Sequence, residues 1–276
     1  MEHGYLNFFE LLNYGFVQRG IIAGTFIAVL CSVLGMFLVL RKLSLVGDGL
    51  AHVTFGSVAV GMLLKVYPFY VAIPLTVMSG VGILKLIQRT RMHGDAAIGV
   101  VSSAGVSIGV LVASLAGGFN VDLLSYLFGN ILSISKGEMV LSIILSIGVI
   151  LVVLLYYNQL VSITFDEELA KVSGIKTEKI NTLLIMLISL TVVLSMRVVG
   201  IMLVSSFLIL PNVAALQLAK SFKKAIIFSI GISVFSVVFG IAISFSFNLP
   251  TGATIVLTNL LVFLLSLLIK QAKSKA

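Results

Sequence analysis

Apolar, nearly uncharged runs recur from one end of the chain to the other, each close to the roughly 20 residues an α-helix needs to cross about 30 Å of hydrocarbon. In lipid every backbone N–H and C=O must find its partner inside the protein, so such runs fold as helices and not as open strands. The composition agrees: of 276 residues, 59% are hydrophobic and 10% charged, and the mean hydropathy is +1.21. No water-soluble domain has that balance. A transmembrane barrel needs segments of about ten residues that alternate apolar and polar, and no segment here does so. The expected fold is an all-α polytopic membrane protein with eight or nine membrane helices, a single transmembrane domain over residues 1–276.

The runs place spans at 20–40, 45–64, 68–87, 95–117, 138–157, 181–196, 198–219, 225–247 and 252–270. Arg41 and Lys42; Lys85, Arg89 and Arg91; Lys171, Lys176 and Lys179; Lys220, Lys223 and Lys224; and Lys270, Lys273 and Lys275 hold fourteen of the eighteen Lys and Arg residues. With alternating spans all five groups fall on one side, which the positive-inside rule makes the cytoplasm. Arg19, Lys65, Lys136 and Arg197 stay outside, so the amino terminus faces out and the carboxy terminus in. Two features strain the count: the span before Arg197 is short, and Pro211-Asn212 interrupts the next, so either reads as a candidate partial or broken helix.

The net charge of +8 does not indicate nucleic acid, because the bases are spread over loops and not gathered on one face. Residues 1–15, with Glu2, Glu10 and His3, lack the basic start of a signal peptide and read as a retained interfacial lead-in. Cys31 is the lone cysteine; it can form no intramolecular disulfide, and packing is its expected role.

Two connectors are more than turns. Residues 119–136, FNVDLLSYLFGNILSISK, are apolar yet too short to span, and predict a short helix at or dipping into the outer surface. Residues 158–180 form the longest hydrophilic stretch and lie inside. There Asp166, Glu167 and Glu168 occupy a first turn, Lys171 comes late, and Gly174 is suited to close the helix in a left-handed conformation, so the charges oppose the helix dipole at both ends. Leu169 and Val172 share a face suited to docking. A loop helix resting on lipid headgroups has the same pattern. The chain has no glycine-rich loop ending in Gly-Lys-Ser/Thr. If ATP powers this protein, another polypeptide hydrolyses it.

In GDGLAHVTFG, residues 47–56, spacing of four puts Asp48 and His52 on one helical face with Ser44 a turn earlier. Carboxylate oxygen and imidazole nitrogen suit Mn, Fe or Zn. An ionisable group at mid-membrane costs at least ~2.5 kcal/mol on insertion scales and therefore faces a cavity or a partner. Gly47, Gly49, Ala51, Gly56 and Ser57 thin the segment and let another backbone approach. Three readings share these residues: a transient metal site, an Asp–His hydrogen bond that packs two helices, and a proton relay. Spacing does not separate them. His93 lies at the cytoplasmic end of a helix with Asp95 as its expected N-cap. Asn120 and Asp122 are weaker candidates for an outer metal-access site, and Glu138 reads as solvated loop chemistry. No HExxH or paired-cysteine motif is present, which argues against a membrane metalloprotease or a structural zinc site.

The series LVLRKLSLVGDGLAHVTFGSVAVG, GDAAIGVVSS, DLLSYLFGNILSIS, FDEELAKVSGI and RVVGIMLVSSFLILPNVAALQLAKSF resembles, in order over residues 16–270, the permeases of bacterial zinc, manganese and iron ABC importers. The closing NLPTGATIVLTNLLVFLLSLL is similar to the end of the larger cobalamin and siderophore permeases, so the resemblance implies a type II ABC importer-like permease lacking their first helix. It implies a homodimer in the bacterial plasma membrane around a central pathway, two ATP-binding subunits inside, and an external metal-binding protein. It makes the helix near 165–175 a coupling helix, and it makes Asp48 and His52 transient ligands of a transported divalent ion, with no permanently bound cofactor. Gly49 stands where the family often has alanine, and Thr54-Phe55 where Leu-Pro is common. The competing readings are a gradient-driven secondary transporter with Asp48 as coupling site, and, third, an integral-membrane enzyme, which needs more convergent polar groups than these.

Overall fold

The computed structural model describes residues 14–90, 93–118, 121–131 and 134–275. Glu2, His3, Glu10, Arg91 and Asn120 lie outside them. The helices are α1 (Gly15–Leu40), α2 (Ser44–Leu63), α3 (Pro68–Thr90), α4 (Gly94–Leu115), α5 (Val121–Phe128), α6 (Lys136–Leu155), α7 (Tyr157–Phe165), α8 (Glu167–Val172), α9 (Thr177–Ser195), a 3-10 turn Ile201–Leu203, α10 (Val204–Leu218), α11 (Phe222–Phe247) and α12 (Thr251–Lys275). Among the described residues nine helices are long and apolar enough to cross a membrane, counting the 3-10 turn with α10. They match the nine apolar runs, and the all-α fold stands.

Spans α1, α2 and α9 are the most enclosed, while α3, α4, α6, α11 and α12 turn most of their surface outward. That outer surface is apolar, as lipid requires: Met78, Leu111, Leu155, Leu261 and Leu268 are exposed. Small residues bring the central helices together, because lipid tails compete with any merely greasy interface and close van der Waals packing decides. Helices α2 and α4 run parallel: a Cβ on Gly49 would stand 2.7 Å from Ile98, and one on Gly105 would stand 2.8 Å from the Val53 Cα and 2.9 Å from the His52 carbonyl oxygen. A methyl group there would push α4 off the backbone that carries His52.

Neither helix is interrupted at the feature that raised the expectation. Helix α9 is continuous over 19 residues, and α10 continues through Pro211. Proline removes one ladder bond, and the helix holds because its neighbour joins three helices. Asn212 Nδ2 donates to the Leu208 carbonyl at 2.7 Å and to the Cys31 carbonyl of α1 at 3.3 Å, and Asn212 Oδ1 accepts from Ser229 Oγ of α11 at 2.8 Å. Cys31 is buried beside Ser195 Oγ at 3.3 Å.

Both connectors contain the expected helices. The outer one is α5; the inner one is α8, six residues long. Asp166 caps α8 by accepting from Leu169 N at 2.8 Å. Gly174 follows at φ +86°. Its N–H bonds the Lys171 carbonyl, and the Ile175 N–H bonds the Ala170 carbonyl, a double C-terminal closure that a left-handed glycine makes at little strain.

Candidate functional site

Asp48 and His52 lie one turn apart on α2. Asp48 Oδ2 and His52 Nε2 are 3.5 Å apart, with side chains 50% and 27% exposed. That is well beyond the 2.7–2.9 Å typical of a charge-assisted hydrogen bond, so the pair is adjacent without being locked. Asp48 Oδ1 accepts from Ser205 Oγ of α10 at 3.3 Å, and His52 Nδ1 is buried with no hydrogen-bond partner. Carboxylate lone pairs and His52 Nε2, which no tight bond holds, therefore remain available to a ligand, while the buried Nδ1 does not. The backbone beneath is rigid, because Gly105 of α4 abuts the His52 carbonyl.

The remaining candidates that lie among the described residues do not converge on this pair. Among the described residues no three His, Cys, Asp or Glu side chains gather in a metal-binding group. Asp122 is exposed in the first turn of α5. Asp95 is not the N-cap: α4 starts at Gly94, His93 holds the cap position without a side-chain bond, and Asp95 sits in the first turn, where its charge still faces the positive end of the helix.

Glu138 is not solvated loop chemistry. It is 6% exposed and paired to Arg197 Nε at 2.8 Å. Its Oε1 also accepts from Tyr67 Oη at 2.8 Å, and its Oε2 from Ser135 N at 2.8 Å, while Ser135 Oγ accepts from Glu138 N at 3.1 Å. Arg197 Cζ lies 4.0 Å from the centre of the Tyr126 ring. Burial, then the bond to Glu138, pushes the Tyr67 hydroxyl well above its ordinary range, and burial raises that of Tyr126. Tyr67 thus stays a donor. The cluster fastens α3, α5 and α6 to the segment between α9 and the 3-10 turn, four residues before which Arg197 stands. The pattern Ser-x-x-Glu at 135–138 signals the capping box; the distant partners leave no signal in the sequence.

A second cluster lies at the end expected to be cytoplasmic. Arg41 Nη2 meets Glu167 Oε2 at 2.7 Å, Arg41 Nη1 donates to Asn181 Oδ1 at 2.7 Å, and Asn181 Nδ2 donates to Glu167 Oε1 at 2.7 Å. Burial lowers the guanidinium from its ordinary range and Glu167 pushes back; an arginine stays charged regardless. On α8, Leu169 and Val172 are 62% and 86% exposed while Ala170 is buried.

Nine helices among the described residues long and apolar enough to cross a membrane, an unlocked carboxylate–imidazole pair and a short capped helix with an exposed apolar face are features of a membrane transport permease. The chain belongs to the ABC 3 transport family, whose sequence pattern matches residues 13–270. It is 34% identical over 259 residues to the manganese import system permease protein ScaB of Streptococcus gordonii, covering 94% of this chain and 93% of that one. It is 32% identical to the high-affinity zinc uptake system membrane protein ZnuB of Haemophilus influenzae, covering 90% and 95%. Among solved structures, PsaBC from Streptococcus pneumoniae in complex with a Fab superposes with a TM-score of 0.85 at 31% identity, covering 94% of both chains.

Proposed function

We propose that this chain is the permease of an ATP-driven importer for a divalent transition metal, manganese or zinc by its relatives and ferrous iron by donor chemistry. Two copies line the pathway, ATP-binding subunits dock on the cytoplasmic side against α8, and an external binding protein delivers the ion. The carboxy terminus faces the cytoplasm, a reading the basic connectors support.

The observation that carries this reading is the unlocked pair. Transport requires a cation to bind well enough to shed water and weakly enough to leave. Asp48 and His52 offer two donors per copy and four across a two-fold axis, short of a closed cage built by one chain. The carboxylate supplies charge and the imidazole a softer nitrogen. Ser205 orients the carboxylate from α10, so relative movement of α2 and α10 changes the site. ATP is favoured over an ion gradient by the family and by the exposed apolar face of α8, which a gradient-driven carrier does not use.

Asp48→Ala and His52→Ala are expected to abolish metal uptake in proteoliposomes while co-purification of the ATP-binding subunit persists. Normal uptake in both variants rules out the ligand assignment.

A further inference from the structure

We propose that Arg41, Glu167 and Asn181 form a mechanical joint that passes movement of α8 to the Asp48-bearing helix; this rests on the reading of α8 as the ATPase contact. The three side chains close a ring in which every link is 2.7 Å. The planar guanidinium spans two acceptors, so the joint resists twisting as well as pulling. Each member belongs to a different part of the fold. Glu167 is the first residue of α8, Asn181 lies in α9, and Arg41 directly follows α1.

The turn beyond Arg41 is short and stiff. Lys42 is left-handed at φ 58°, the Lys42 N–H bonds the Val39 carbonyl, and the Leu43 N–H bonds the Leu38 carbonyl. Helix α2 begins at Ser44, and Asp48 follows in its second turn. A displacement of Arg41 is therefore carried almost directly into the axis of α2.

Helix α8 is too short to hold itself rigid in isolation, so force on its free face leaves through its anchors. Its side chains divide accordingly. Glu167 and Ala170, three residues apart, face the permease, while Leu169 and Val172 face outward. The acidic trio has three roles: Asp166 caps the helix, Glu167 holds the joint, and Glu168 is left for the partner. Glu167 thus acts within the permease and does not touch the ATPase.

The test uses the full complex, with both partner proteins, in proteoliposomes, and measures ATP-subunit retention, ATP hydrolysis and manganese ions imported per ATP. Glu167→Gln and Arg41→Met are expected to retain the ATP-binding subunit and to hydrolyse ATP within about twofold of the parent, while ions imported per ATP fall roughly tenfold. The exchanged pair Arg41→Glu with Glu167→Arg is expected to recover part of the loss, which a general loss of stability would not do. An unchanged ratio in Glu167→Gln overturns the joint, and so does loss of the ATP-binding subunit in that variant, which would put Glu167 in the docking face. Glu167→Gln keeps shape at a 45% exposed side chain and decides alone if Arg41→Met fails to assemble. No ATP-dependent uptake by the parent complex overturns the functional reading, and with it the joint.

Discussion

Removing the carboxylate of Glu138 tests how the end of the fold expected to face outward is held. The side chain accepts three bonds of 2.8 Å, from Tyr67, Ser135 and Arg197, and the two charged side chains are 6% and 16% exposed. At that burial the mutual attraction is large but is offset by desolvation, so the cost of a substitution depends on what it strands. Glu138→Ala deprives a largely buried guanidinium of its carboxylate and is expected to destabilise by about 3–5 kcal/mol. Glu138→Gln preserves shape and an acceptor, loses the charge, and is expected to lose about 1–3 kcal/mol. Combining Glu138→Ala with Arg197→Met removes the stranded charge, so the double variant should be more stable than the sum of the singles by about 1–3 kcal/mol. The assay is SDS-induced unfolding of the purified permease in mixed micelles, followed by circular dichroism. Equal losses in Ala and Gln, or additivity within about 0.5 kcal/mol, would show that the pair is not coupled.

Three further outcomes are expected. Gly105→Ala, whose Cβ would stand 2.8 Å from the Val53 backbone, should cost about 1–3 kcal/mol by overpacking, whereas Gly99→Ala on the same helix, with nothing within 4 Å, should be neutral or stabilising; the same unfolding assay separates them. Asn212→Ala leaves the Ser229 hydroxyl and the Cys31 carbonyl without this partner and should cost about 1–3 kcal/mol, with α10 breaking at Pro211, seen as lost amide protection in hydrogen exchange. Ser205→Cys should react with a membrane-impermeant, positively charged thiol reagent, and manganese should slow the reaction, while the native Cys31, 0% exposed, stays silent.

The nine spans and α8 were legible because their signals lie along the chain itself: apolar length, an acidic start, a glycine closure; Asp166, expected in the first turn of α8, is its N-cap instead. The Asp48–His52 pair was legible for the same reason, since residues four apart share a helical face. What escaped depends on residues distant in sequence. Glu138 finds Tyr67 and Arg197 at separations of 71 and 59 residues, and Arg41 finds Glu167 and Asn181 at 126 and 140. A charge count assigns Arg41 and Arg197 to topology, and they hold structural joints as well. Pro211 misled in the opposite direction. Proline signals a break locally, and only the packing of α1 and α11 around Asn212 shows why none occurs.

The meeting of Asp48 and Ser205 bears on something the sequence left open, the depth of the site. With alternating spans, α2 and α10 start from opposite faces of the membrane. At 1.5 Å per residue Asp48 lies about 6 Å along α2, and Ser205 about 8 Å past the start of the tighter 3-10 turn. Together those distances cover about half of the roughly 30 Å hydrocarbon core, yet Ser205 Oγ and Asp48 Oδ1 are 3.3 Å apart. On that arrangement at least one of the two helices begins inside the membrane thickness. Irregular backbone at that depth persists only where protein or a water-filled cavity surrounds it, and Val198 and Val199 before the 3-10 turn are buried at 1% and 0% exposure. On the same arrangement the half-exposed Asp48 carboxylate sits one turn inside its own helix, beside the start of α10. A recessed helix end gives a cation a route to a carboxylate without stranding that charge in lipid.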